Sequence, residues 1–181
     1  MTRLTARMLV AVACGLTLVG VPGAALGSVV PNACIAGVGL WDSKERVARE
    51  WGLPTRVTPQ GPDIVWHYPK RTVVLYRWRE RPKPDRWIVL VVSTTNPRDR
   101  LRGIGVGSWR SEVHAAIAKA GGGCPKGSSS CELAHTFRGG ERVTTVSLTR
   151  NRVTELAVSV YSDFDDGPLQ YADKRCRPSR P

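Results

Sequence analysis

Gly37-Val38-Gly39-Leu40-Trp41-Asp42-Ser43 returns as Gly105-Val106-Gly107-Ser108-Trp109-Arg110-Ser111, with both glycines, the valine, the tryptophan and the serine in the same places. Each occurrence leads into a short helical pattern and then into strand patterns, so the chain reads as a tandem duplication of one supersecondary unit. Such a unit cannot bury its apolar face alone, and a second copy supplies the cover.

In the first unit Asp42-Ser43-Lys44-Glu45 has the form of a capping box, in which a carboxylate accepts backbone N–H groups and a glutamate three residues on reaches back. Val47 and Trp51 stand four apart on one face, and Gly52 and Pro54 supply a left-handed stop and a breaker, which predicts a helix over 43–51. β-Branched and aromatic residues then fill 64–68, 72–78 and 87–94, separated by Pro69-Lys70-Arg71 and the polar, proline-bearing 79–85, and this predicts a three-stranded antiparallel meander.

After a charged connector at 96–102, the second unit predicts a helix from 109 or 110 to 120 that buries Val113 and Ile117 and stops at Gly121-Gly122-Gly123. Strands are expected over 132–138, 142–149 and 152–161, joined by tight turns at Gly139-Gly140 and Arg150-Asn151. The expected fold class is α+β, with tandem helix plus three-stranded antiparallel meander repeats forming one sheet with helices on one face. Its boundaries are a signal peptide at 1–27, a first repeat at 28–102, a second repeat at 103–162 and a C-terminal tail at 163–181.

Alternation assigns the faces. Leu156, Val158 and Val160 point to the core, while Thr145, Ser147 and Thr149 mark a wet side. In the first unit Val73 and Leu75 face the core, leaving Thr72, Val74, Tyr76 and Trp78 opposite with Trp66 and Tyr68 beside them, an aromatic patch facing away from the helix.

Arg3 and Arg7 precede an uncharged apolar run at 8–21 that ends in Gly23-Ala24-Ala25-Leu26-Gly27, the pattern of an export signal cut after Gly27 or nearer Ala25. The run is shorter than the ~20 residues a spanning helix needs, and no second run of that length follows, so the mature chain is expected not to be transmembrane. Cys14 lies inside the run and leaves with it. Cys34, Cys124, Cys131 and Cys176 then meet an oxidising compartment, where four cysteines allow three pairings. Pro125-Lys126-Gly127-Ser128-Ser129-Ser130 suits tight closure of Cys124 on Cys131, which leaves Cys34 for Cys176; that larger ring would remove on the order of 4 kcal/mol of unfolded-state entropy.

A formal net charge of +12 favours anionic partners, which outside a cell are wall polymers, acidic lipids or acidic protein surfaces. Nucleic acid is not expected, because no nucleic-acid-binding motif accompanies the charge. Catalytic and cofactor patterns are weak. His67, His114 and His135 stand at no metal-ligand spacing from one another, and Ser108 is followed by Trp109-Arg110 where a nucleophile elbow needs glycine, so it reads as a helix cap. Gly103, Gly105 and Gly107 lack the last glycine and the crossover of a dinucleotide loop, and Asp163, Asp165, Asp166 and Gly167 lack the glutamate that completes a calcium loop. No catalytic residue, metal or cofactor is expected.

Glycine-bounded valine, capped short helix, glycine-proline stop and meander, present twice in an exported chain with two disulfides, resemble the β-lactamase inhibitory protein fold over about Cys34 to Tyr161. Gly107-Ser108-Trp109-Arg110-Ser111-Glu112-Val113 also resembles the run that opens the helix in the small lipoprotein of the outer-membrane barrel assembly machinery. The resemblance implies a sheet face lined with aromatic residues that clasps a target enzyme, here Trp66, Tyr68, Tyr76 and Trp78; Arg77 and Arg79 stand where arginines ring such interface anchors. The expected function is a secreted, non-catalytic protein-binding module whose partner is an extracellular or envelope protein, inhibited in the case of an enzyme. The alternative is a basic cell-envelope protein that binds anionic wall polymer.

Overall fold

The computed structural model describes residues 28–79, 85–137, 140–162 and 176. The expected signal peptide, the Asp163, Asp165, Asp166 and Gly167 cluster and the tail apart from Cys176 lie outside the described residues. Three two-residue strands come first, β1 (Val29–Val30), β2 (Cys34–Ile35) and β3 (Val38–Gly39), then α1 (Lys44–Trp51), β4 (Arg56–Gln60), β5 (Asp63–Tyr68), β6 (Arg71–Trp78) and β7 (Arg86–Thr94). α2 (Arg110–Lys119), β8 (Ser130–Phe137), β9 (Gly140–Thr149) and β10 (Arg152–Ser162) follow. β1–β3 form a small antiparallel sheet, and the other seven strands form one antiparallel sheet in the order β4-β5-β6-β7-β10-β9-β8.

The chain is therefore mostly β, which overturns the expected α+β class with its tandem helix plus three-stranded meander repeats and single sheet. Two segments explain the difference. β4 contains Pro59 and all its residues are exposed, so no apolar alternation announces it; it is an edge strand, where a residue without an N–H forfeits no ladder bond. The first meander thus has four strands. Residues 29–39, where the sequence predicts no element, fold into the small sheet, turned by Asn32 (φ 56), Ala36 (φ 48) and Gly37 (φ 84). The duplicated tryptophans also part company: Trp41 sits at φ 69 in the core, whereas Trp109 caps α2 at φ −76 and is 50% exposed.

The helix ends follow the sequence with shifts of one residue. Ser43 rather than Asp42 caps α1, its Oγ accepting the Arg46 N–H at 3.3 Å, while Asp42 takes the Gly39 N–H at 2.8 Å and pairs with Arg46 at 3.1 Å. Burial of Asp42 pushes its carboxyl pKa up. On α2 the Glu112 carboxylate accepts the Trp109 N–H at 2.6 Å, and Ser108, expected as the cap, lies one residue earlier and accepts from Gly105 N–H at 3.2 Å. Arg150 and Asn151 both have positive φ, the type I′ geometry that matches strand twist in a tight hairpin.

One rung organises the core. Trp66, Val73, Val92, Val158, Thr144 and Leu133 face one another in register across β5, β6, β7, β10, β9 and β8, and all six are buried. Val47 of α1, Val113 and Ile117 of α2, and Ile35 and Val38 of the small sheet belong to the same core. Thr144 is the polar member of the rung. Its Oγ1 accepts the Asn32 N–H at 2.7 Å and donates to Asn32 Oδ1 at 2.8 Å, so the small sheet satisfies a buried hydroxyl of the large one. Cys34 is bonded to Cys176 and Cys124 to Cys131, the pairing favoured from the loop lengths. Among the described residues no helix is long and apolar enough to cross a membrane.

α1 is fastened to the sheet by a polar-aromatic cluster. Trp51 Nε1 donates to Ala36 O at 2.9 Å, Tyr68 meets the Trp51 ring edge-on at 5.3 Å, and the Tyr68 hydroxyl donates to Gly52 O at 3.1 Å. The Arg71 guanidinium lies 5.1 Å from the Trp51 ring centre and clamps Asp99 with two bonds of 2.7 and 2.9 Å, while Thr94 Oγ1 donates to the same carboxylate at 2.6 Å.

Asp99 has no exposed surface, whereas Asp85, paired with Arg77 at 2.7 Å, is open to solvent. Removing one member of a buried pair strands a charge, so Asp99→Ala is expected to cost about 3 kcal/mol and Asp85→Ala less than about 1 kcal/mol, measured by urea unfolding with the disulfides intact. Equal losses would contradict this assignment. Burial also pushes the Tyr68 phenol up to about 12, above the unfolded value near 10. Its contribution to stability is present below pH 10 and is lost as pH rises from about 10 towards about 12. Alkaline titration followed by tyrosinate absorbance should show a late step that Tyr68→Phe abolishes; its persistence in the variant would exclude Tyr68 as the source.

Candidate functional site

Register decides which of the expected aromatic residues can meet a partner. Trp66 pairs with Val73 and Tyr68 with Arg71, so both lie on the core side of the sheet and not beside Tyr76 and Trp78. The expected single patch is corrected accordingly. Trp66 is 4% exposed with the Lys44 ammonium 5.6 Å from its ring centre, and Tyr68 belongs to the cluster that fastens α1. Alternation within each strand does not fix which face of β5 joins which face of β6. A hairpin joined at Pro69 and Lys70 places residue 68 opposite 71, which puts the even positions of β5 on the side of the odd positions of β6.

The remaining four expected residues do converge. Tyr76, Arg77, Trp78 and Arg79 line a cleft of about 570 Å³ together with Gly61, Pro62 and Trp87. β6 carries Arg77 opposite Trp87 and Trp78 opposite Arg86, so the end of this hairpin alternates aromatic rings with guanidinium groups. A bulge sets the alignment. Val74 faces Val91 and Leu75 faces Val89, leaving Leu90 as the extra residue on β7, which re-aims the strand end towards the cleft. Tyr76, Trp78 and Trp87 are each partly buried, and Arg77 is held by Asp85 at 2.7 Å. Asp63, opposite Tyr76 at the start of β5, has its carboxyl pKa raised by burial. Trp87 also lines the cleft although nothing in its own strand pattern marks it; its signal is the hairpin register that sets it against Arg77.

The chemistry suits binding. Large rigid rings supply apolar area at little rotamer cost, and arginines beside them offer forked donors to carboxylate or carbonyl groups. A second, shallower hollow of about 390 Å³ is lined by Trp109, Arg110, Ser111, His114 and Asn151, with the Arg152 guanidinium 3.7 Å from the Trp109 ring centre. His67 Nε2 is 3.1 Å from Thr58 Oγ1 on the exposed side of β5, and His135 is exposed on β8.

No protein-family model matches the chain, and no curated protein matches its sequence. Among solved structures it is similar to an extracellular protein containing an SCP domain from Bacillus anthracis str. Ames, with a TM-score of 0.38 and 10% identity over 66% of this chain and 43% of that one. The chain thus spans less than half the length of that protein.

Proposed function

We propose that the protein is an exported, non-catalytic binding module that holds an extracellular or envelope protein in the cleft of Tyr76, Trp78 and Trp87, with Arg77 and Arg79 at its rim. The observation that supports this reading is the convergence of three partly buried rings and two arginines at one hairpin end. Such a composition is that of an interface hot spot, where aromatic and arginine side chains supply most of the binding energy. The two disulfides support an oxidising destination. The resemblance drawn from the sequence adds an enzyme as the kind of partner, with inhibition by occlusion as the consequence.

The net charge of +12 favours a second reading, a cell-envelope protein that binds anionic wall polymer over its basic surface. Salt separates the two, because polyanion binding weakens steeply with ionic strength and an aromatic-anchored interface changes far less.

For the leading reading, immobilised wild-type protein should retain a specific partner from extracellular and envelope fractions through a salt wash. Trp78→Ala, and separately Arg79→Glu, should lower that affinity by about 30-fold, the weight of one hot-spot residue. Retention by both variants equal to wild type would rule the cleft out. Binding that vanishes at high salt and is indifferent to Trp78 would favour the polymer reading.

A further inference from the structure

His114, on α2, lies outside the proposed cleft and beside the Cys124–Cys131 bridge. A nitrogen of its ring and the two sulfurs all fall within 4.8 Å of one another. Oxidised sulfurs are poor ligands, but the same two atoms as thiolates, joined by a neutral imidazole, form a set that zinc and its relatives take up. Zinc–ligand bonds of roughly 2.0–2.3 Å place tetrahedral ligand atoms at about this spacing after small rotamer shifts.

The backbone holds these ligands in place without help from the disulfide. Gly123 and Glu132 exchange both N–H···O bonds, at 2.9 and 2.8 Å, directly flanking the cysteines. Gly122 packs against the Glu132 carbonyl where a Cβ would have no room. Cys131 sits in the β8–β9 ladder opposite Val146, Leu148 N–H donates to Ser129 O at 2.7 Å, and Arg110 Nη2 donates to Ser128 O at 2.6 Å. Opening the S–S bond therefore leaves both sulfurs near His114. Cys131 is buried, Cys124 is partly buried and His114 is exposed, so the set opens to solvent on the histidine side.

We propose that reduction of Cys124–Cys131 creates a site for one divalent cation of the zinc class, with Cys124, Cys131 and His114 as ligands and the fourth tetrahedral position left to solvent. The reductant is a small thiol: two equivalents of thiol give two cysteine thiols and one small-molecule disulfide, and the cation then displaces both thiol protons. In the oxidised form the site is closed. The bridge is thereby a switch between a covalent staple and a metal staple on the same loop.

The test uses the full chain, reduced with a phosphine that is then removed under argon, and Co²⁺ as the spectroscopic probe. Reduced protein should bind one Co²⁺ with a thiolate-to-cobalt charge-transfer band and tetrahedral d–d bands, reversed by Zn²⁺, while oxidised protein shows neither. His114→Ala should weaken binding at least about tenfold, since even outer-shell changes cost that much. A Cys34→Ser/Cys176→Ser variant, which removes the other thiols, should retain the band. The proposal is overturned by absence of the band after reduction, including loss of the fold without binding, by equal affinity in His114→Ala, or by a band that survives in Cys124→Ser/Cys131→Ser.

Discussion

The pairing of β7 with β10 is the constraint on which the rest depends. Every other neighbour in the large sheet is also a neighbour in sequence, joined by a hairpin, whereas this seam brings Val91–Thr94 against residues 156–159. Non-local pairing closes a long loop and is entropically costly, so it must be repaid by burial. The rung that crosses it does so: Val92 and Val158, fully buried, connect Val73 and Trp66 on one side to Thr144 and Leu133 on the other. Without that contact the two hairpin systems would each expose a half-covered face.

Polar groups near the seam are arranged to make one register cheaper than its alternatives. A slip of one residue would turn Thr144 away from Asn32 and leave a buried hydroxyl and amide unsatisfied. The neighbouring β6–β7 register is held in the same way, since a slip there would part Arg71 from Asp99, a carboxylate with no exposure that Arg71 and Thr94 together satisfy. Hydrophobic burial supplies the attraction, and these two buried polar pairs supply the selectivity. Cys34 and Cys176 then tie the small sheet to the chain beyond β10, closing the cover over the core.

Much of the architecture was legible because its signals are local. The helix stop at Gly52, the buried Val113 and Ile117, the turn at Arg150 and Asn151 and the Cys124–Cys131 bridge all depend on residues within a turn or a loop of one another, and closing that bridge leaves Cys34 for Cys176. What escaped the sequence was decided by context. Strand β4 owes its existence to the edge of the sheet and not to its own exposed residues, and the small sheet is made of two-residue strands too short to show a period. The candidate site was half legible for the same reason: composition picked out the tryptophans, but only cross-strand register could separate Trp66, under α1, from Trp78, at the cleft.

The duplicated heptapeptide shows how identical residues acquire different work. Trp41 is held in a left-handed turn by strand-like bonds to β7, with its N–H on Val89 O at 2.9 Å, and so enters the core. Trp109 follows Gly107 (φ 94) by two residues where Trp41 follows Gly37 (φ 84) by four; it takes an extended φ of −76, caps a helix, and leaves its ring outside under the Arg152 guanidinium. The difference places an exposed aromatic ring near the Thr94 end of the seam, since Trp109 bridges to Arg152 and Leu156 pairs with Thr94. The cleft of Tyr76, Trp78 and Trp87 occupies the other end, where β7 begins at Arg86. The central rung lies between them, and the two ends present separate surfaces that suit separate chemistries.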